Sequence, residues 1–284
     1  MSDLPGEPSL EGRIAVVTGA GSGLGAAMAR VYAAAGMAVA SLDIDGPAAE
    51  TTAAGLAEEF GVPVTAVRTD VGDVESVEAA ASHVASTFGG CDLLAANVGV
   101  QQFGAIDRLT EQDWAWVLNV NVMGTVRTVR AFLPLVRSRT GWRRIVVTAS
   151  SGVLIPGVRL GAYQASKFAV MGYGETLRQE LAAEGIGVSI LFPAGMMTRH
   201  LESSALARPA ELGESVTLPD DIQAMLASRR MVDGDVVTAD YAVRNLLGDL
   251  LADQPYVLTH GSYRGEYNRR RDAIDAAFDR MERP

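Results

Sequence analysis

Cysteine is nearly absent. Cys91 stands alone, so an intrachain disulfide is excluded and a reducing cytoplasm is the expected compartment. Histidine is almost as scarce. His83, His200 and His260 are not spaced with other ligands as a metal site requires, so no metal is expected. No apolar run is long enough to span a bilayer, and none is expected to. The segment Met1 to Leu10 is polar, with two prolines, and has neither the basic nor the apolar stretch of a secretory signal; it reads as a flexible tail. A basic excess is missing too. With 24 Lys+Arg against 34 Asp+Glu, the formal net charge is −10, which argues against a nucleic-acid partner. The run Arg269, Arg270, Arg271 sits beside Asp272, Asp275 and Asp279 and reads as a solvated, salt-bridged helix face.

What is present is a rhythm of short apolar runs and helical stretches. A length of 284 residues suits one α/β domain with a full core. Five or six strand candidates alternate with helices, which predicts a doubly wound, Rossmann-like parallel sheet in a single domain. Ile14 to Val17 reads as the first buried strand, Ala38 to Asp43 as the second and Val64 to Thr69 as the third. Between the first two lies Thr18-Gly19-Ala20-Gly21-Ser22-Gly23-Leu24-Gly25, followed by an amphipathic helix from Ala26 to Ala35 that Gly36 ends. Glycines let the backbone approach a pyrophosphate, and the helix N-terminal N–H groups point at it. The plain alternative is a tight turn, but four glycines in the seven residues from Gly19 are more than a turn needs. Asp43 ends the second strand. A carboxylate at that distance from the loop hydrogen-bonds the adenosine ribose hydroxyls and repels a 2′-phosphate. Neither Ser22 nor Ile44 offers a cation to a phosphorylated cofactor, so NAD is favoured over NADP.

Tyr163 and Lys167 are four residues apart, about one helical turn, and leave the same helix face. A phenol of ordinary pKa near ~10 is a poor base at neutral pH. An ammonium about 4 Å away favours the phenolate by up to ~4 kcal/mol at an effective dielectric of ~20, which predicts a pKa lower by two or three units. The pair is a candidate general acid/base for an alcohol proton.

These residues together resemble the short-chain dehydrogenase/reductase family, in its compact single-domain branch, over roughly Glu11 to Thr198. The resemblance implies an NAD(H)-dependent oxidoreductase that interconverts a secondary alcohol and a ketone. It gives Tyr163 the proton, Lys167 the nicotinamide ribose, and Ser150 the substrate oxygen, with Ser151 as the competing serine. Asn121 takes the water relay behind the lysine, with Asn119 as its competitor. It assigns cofactor contacts to Gly19, Ser22, Gly23, Leu24, Gly25, Asp43, Asp70, Val71, Asn97, Gly99, Pro193 and Thr198. The Asn-Asn-Ala-Gly motif is degraded here, because Ala96 and Val98 replace its first asparagine and its alanine. The stretch from about 196 to 237 corresponds to the family's substrate lid. Its apolar residues, among them Met196, Met197, Leu201, Leu206, Leu212, Met225, Leu226 and Met231, suggest either a roomy apolar pocket or simple packing on the core.

The tail is loosely similar to those of aryl-alcohol (lignin Cα) dehydrogenases. It implies a bulky apolar or aryl substrate. Two long helices, about Glu111 to Arg139 and Ala162 to Glu184, correspond to the family's subunit interface and imply a homodimer or homotetramer. Alternatives left open are an NADP-dependent carbonyl or enoyl reductase, and a non-catalytic dinucleotide-sensing protein.

Overall fold

The computed structural model describes residues 8–198, 200–213, 217–228 and 235–281. Seven strands form one parallel sheet: β1 (Ile14–Thr18), β2 (Ala38–Asp43), β3 (Val64–Arg68), β4 (Leu93–Ala96), β5 (Arg144–Thr148), β6 (Gly187–Phe192) and β7 (Tyr256–Leu258). Their order is β3-β2-β1-β4-β5-β6-β7. The sheet thus has one strand more than the upper count drawn from the apolar runs. β7 falls within the run Tyr256 to His260, which reads as a last strand from sequence; it is three residues long with only Val257 buried.

The strands are apolar throughout because both faces are covered. Side chains alternate along each strand, so Val16, Leu94, Ile145 and Ile190 face one layer, and Val17, Leu93, Val146 and Leu191 the other. The first layer is α3 (Val74–Phe88), α5 (Gly124–Arg137) and α6 (Gly161–Leu181), through Val84, Phe132, Val170 and Leu177. The second is α1 (Gly23–Ala34), α2 (Gly46–Phe60), and the short helices α9 (Ala239–Val243) and α10 (Leu246–Leu251), through Met28, Tyr32, Leu56, Val243 and Leu250. The order in which successive strands are laid down reverses between β1 and β4, which opens a crevice at the strands' C-terminal ends.

Two helix boundaries differ from the sequence expectation. α1 begins at Gly23, not Ala26, so Gly23 and Gly25 lie in its first turn. The long helix expected over Glu111 to Arg139 is broken. α4 (Glu111–Leu118) passes through a π-turn at Asn119–Met123 before α5 begins. Periodicity does not reveal this turn, because one extra residue per turn shifts the apolar stripe by less than a face. Beyond β6 lie α7 (His200–Leu206), α8 (Pro219–Ala227) and, after β7, a terminal helix α11 (Arg264–Met281). No described helix is long and apolar enough to cross a membrane.

Candidate active site

Tyr163 and Lys167 occupy the first two turns of α6, as their spacing requires. Lys167 is 3% exposed. Its Nζ donates to the carbonyl of Thr148 at 2.9 Å, at the end of β5, and lies 5.8 Å from the Tyr163 ring centroid. No carboxylate pairs with it among the described residues. Burial therefore pushes its pKa down to about 8. Gly99 passes directly against it: a Cβ at position 99 would stand 2.8 Å from Nζ.

Asn121 sits in the π-turn and is fully buried, so it is not a polar residue on an exposed face. Its Oδ1 accepts from the Val100 N–H at 2.7 Å, and its Nδ2 donates to the Val100 carbonyl at 2.9 Å and to Ser166 Oγ at 2.8 Å. Ser166 Oγ in turn donates to the Tyr163 carbonyl at 2.7 Å. The π-turn and the first turns of α6 are thereby one hydrogen-bonded unit. Asn119 looks elsewhere. Its amide donates to the Gly72 carbonyl at 3.3 Å and its Oδ1 accepts from Arg127, which secures the loop after β3.

Ser150 and Ser151 are both buried, at 8% and 4% exposure. Ser150 Oγ accepts from the Gly152 N–H at 3.1 Å, while the Ser151 N–H donates to the Pro193 carbonyl at 2.9 Å. A Cβ on Gly152 would fall 2.8 Å from the Gln164 side chain, so Gln164 holds the serine loop against α6 beside Tyr163.

The nucleotide side is built on close backbone approach. A Cβ at Gly25 would lie 2.0 Å from the Gly19 carbonyl oxygen and 2.9 Å from Asn97 Nδ2, so no side chain fits there. Asn97 joins three strands. Its N–H donates to Thr18 Oγ1 at 2.9 Å, its Nδ2 to the Thr18 carbonyl at 3.2 Å, and its Oδ1 accepts from Thr148 Oγ1 at 3.2 Å. Ser22 holds the N-cap position of α1 without a side-chain bond to the helix, and Leu24 packs on the core beneath. Asp43 Oδ2 accepts from the Gly21 N–H at 2.8 Å and Oδ1 from the Asp45 N–H at 3.0 Å, so the carboxylate sits against the glycine loop. Asp70 Oδ1 accepts from the Gly72 N–H at 2.8 Å. Val71 is buried against Gly124, where a Cβ would come within 2.7 Å of it.

The loop after β6 closes over this side. Thr198 stands beside Gly23, with its Cγ2 3.4 Å from where a Cβ would be. The loop is pinned from β7: the Ala194 N–H donates to Thr259 Oγ1 at 3.2 Å, and His260 Nε2 bonds the Gly195 carbonyl oxygen at 2.7 Å. Sequence reasoning gave no role to Thr259, His260, Ser166 or Thr148. Of these, only Ser166 had a local signal, being one residue from Lys167.

His200 lies edge-on to Tyr163, with ring centroids 6.4 Å apart and planes at 63°. Burial, and secondarily the Lys167 charge, push its pKa down to about 4. Its helix α7 docks through Ser204 Oγ, which accepts from the Gln101 N–H at 3.1 Å. Farther out, Asp221 of α8 is 1% exposed and pairs with Arg108 and with Arg159 at 3.1 Å, while Arg208 pairs with Asp113 at 2.6 Å. These pairs rim a cavity of about 550 Å³ that includes Leu212 and Leu218. Met197, Leu201 and Leu206 are exposed. Met231 lies outside the described residues, as does the Leu226 side chain. Among the described residues, no three His, Cys, Asp or Glu side chains converge as a metal site.

Residues 13–208 match the family model described as short chain dehydrogenase. The chain belongs to the short-chain dehydrogenase/reductase family. It is 36% identical over 189 residues to D-threitol dehydrogenase of Mycolicibacterium smegmatis, covering 66% of this chain and 72% of that one. It is 33% identical over 204 residues to C alpha-dehydrogenase of Sphingobium sp. SYK-6, covering 72% and 66% respectively. Among solved structures, it superposes with a TM-score of 0.86 on a short chain dehydrogenase/reductase from Burkholderia phymatum in complex with NAD. That pair is 33% identical, with 95% and 96% of the two chains covered.

Proposed function

We propose that this protein is an NAD(H)-dependent oxidoreductase that interconverts a secondary alcohol and a ketone. The observation that carries the reading is Lys167: an amine buried without a carboxylate, fixed by a backbone carbonyl beside the Tyr163 ring. Burial of an unpaired charge is costly, and such costs concentrate where charge is used. In this reading Tyr163 accepts the alcohol proton, and the positive end of Lys167 stabilises the resulting negative charge. Ser150 holds the substrate oxygen. The buried Asn121–Ser166 link keeps Tyr163 and Lys167 in register and lies on the proton's route from the lysine to solvent.

The residues present fit a dinucleotide. The glycine backbone leaves a side-chain-free surface at Gly19, Gly23 and Gly25, and Thr198 flanks it. Gly19, Ser22, Gly23, Leu24 and Gly25 would hold the pyrophosphate. Asp43 would take the adenosine ribose, Asp70 and Val71 the adenine. Asn97, Gly99, Pro193 and Thr198 would border the nicotinamide half, with Lys167 on its ribose. The cofactor supplies the hydride acceptor or donor. Asp43, with no cation beside it at Ser22 or Ile44, favours NAD. The single cysteine, buried at Cys91, supports a cytoplasmic setting. The outer faces of α5 and α6 are proposed to pair with a second copy, giving a homodimer or homotetramer. We place the substrate between the serine loop and the lid, among bulky apolar or aryl alcohols.

A panel of secondary alcohols, from small aliphatic to bulky aryl, assayed with NAD and with NADP, tests this reading. NADH should form with at least one of them and not with the Tyr163→Phe protein. Stronger turnover with NADP would sink the cofactor assignment. Near wild-type turnover in Tyr163→Phe would sink the mechanism.

A further inference from the structure

The outer half of the terminal helix is exposed along its whole length among the described residues. α11 is 18 residues long, about 27 Å at 1.5 Å per residue. Its first half is anchored: Arg270 donates to the Val153 carbonyl and lies over the Phe168 ring. Every residue from Arg271 to Met281 is exposed. That half nevertheless carries an apolar stripe. Tyr267, Ile274, Phe278 and Met281 follow at steps of seven, four and three, on one helix face, and are 38%, 49%, 55% and 71% exposed. A lone helix of this length gains little from its own backbone, so a helix with such a stripe is stabilised by what covers it.

Two further observations say what covers it. The helix is split by charge: residues 264–271 hold four arginines and one glutamate, residues 272–281 three aspartates and one arginine. Beneath its first half lies a cavity of about 590 Å³, lined by Met171, Tyr256, Leu258, Tyr263 and Tyr267 and edged by Arg264 and Arg271. A helix crossed antiparallel with its own copy, centred near Ala273, brings these features together. Phe278 of one copy falls level with Asn268 of the other, which lines the cavity, and Met281 level with Gly265, next to Arg264 at its edge. Asp275 falls level with Arg271, and Asp279 between Arg264 and Arg271. The acidic, apolar half of each helix thus meets the basic, aromatic half of the other, as a two-fold contact requires.

We propose that α11 is an interaction surface for a second copy of this chain. The two outer halves cross antiparallel, and each lays Phe278 and Met281 into the other copy's aromatic cavity. This surface is separate from the α5 and α6 faces and does not rest on the enzymatic reading.

The test is the mass of the full chain by sedimentation velocity at micromolar concentration. Ile274→Glu/Phe278→Glu should halve the wild-type mass while each subunit stays folded, with circular dichroism losing no more helix than the uncovered half of α11, since both positions are exposed in one copy. Arg264→Glu/Arg271→Glu should halve it as well. Adding Asp275→Arg/Asp279→Arg to that second protein should restore it. A monomeric wild type, or an unchanged mass in both double variants, overturns the proposal. So does wild-type binding to phosphatidylserine vesicles that Ile274→Glu/Phe278→Glu abolishes at unchanged mass, which would assign the face to a membrane.

Discussion

Lys167 and Asp221 are both withdrawn from water, at 3% and 1% exposure, but their surroundings are opposite. Asp221 ties α8 to the loops before α4 and α6, and two guanidinium groups meet it there. Lys167 meets the neutral carbonyl of Thr148, the Gly99 backbone and the ring of Tyr163, and no carboxylate among the described residues. A buried charge with partners can be a mechanical joint. A buried charge without them is destabilising, and such costs concentrate at functional sites. The consequence is visible in Lys167, whose pKa is pushed down to about 8 by burial alone. At neutral pH it keeps its proton, but it stands within reach of losing it.

Replacing Lys167 with Met sharpens the contrast most. Turnover should fall by about two to four orders of magnitude, the range for losing acid–base support. Stability should rise. The drop from 10.5 to about 8 corresponds to roughly 3 kcal/mol of folding penalty at neutral pH, less about 1–2 kcal/mol for the orphaned Thr148 carbonyl. The net gain is a few degrees in melting temperature. The folded pKa lies below the unfolded one. The penalty is therefore full below about 8 and fades as pH rises toward 10.5. Calorimetry should find the variant more stable at pH 7 and the order reversed above about pH 10.5, where the wild-type amine is neutral and only its hydrogen bond to the Thr148 carbonyl separates the two proteins. A lower melting temperature at pH 7 would break the comparison.

Asp221→Asn probes the other side and should do less. Arg108 and Arg159 are partly exposed and can return to water, so the cost should be about 1–2 kcal/mol. The lid loosens, KM rises severalfold, and kcat holds within about twofold, as for lost ground-state binding. A collapse of kcat would place Asp221 in the chemistry.

The smallest effect is expected at His200. Held at about 4, it stays neutral across the working range and carries no step near 6.5 in the pH–rate profile. His200→Gln should leave the shape of that profile unchanged between pH 5.5 and 8. Disappearance of an inflection in that window would show that the imidazole titrates there.

The sequence was most legible where chemistry demands fixed spacing. Tyr163 and Lys167 share a turn because four residues make one, and Asp43 ends β2 because an apolar run stops at an acid. The glycine loop was legible as an anion cradle. It did not disclose that Gly25 is required by contact with Gly19 and Asn97 in the next strand over. The choice between Asn119 and Asn121 rested on a motif, and a π-turn separates their roles in space. The stretch from about 196 to 237 was read from its apolar residues, whereas what ties α8 and the segment after α7 to the rest are the ion pairs of Asp221, Arg208 and Asp113, drawn from segments far apart in the chain.

Local order is fixed by neighbours in the chain. Strand periodicity, the glycine turn and the one-turn spacing of Tyr163 and Lys167 are short-range properties, and the sequence alone determined them. Burial is not short-range. That Lys167 would lack a carboxylate, that Asn121 would bond Ser166, that His200 would stand against Tyr163, and that half of α11 would be left uncovered each depends on which segments the sheet order brings together. Those were decided only in the tertiary structure, because solvation and partnership belong to the packed chain as a whole.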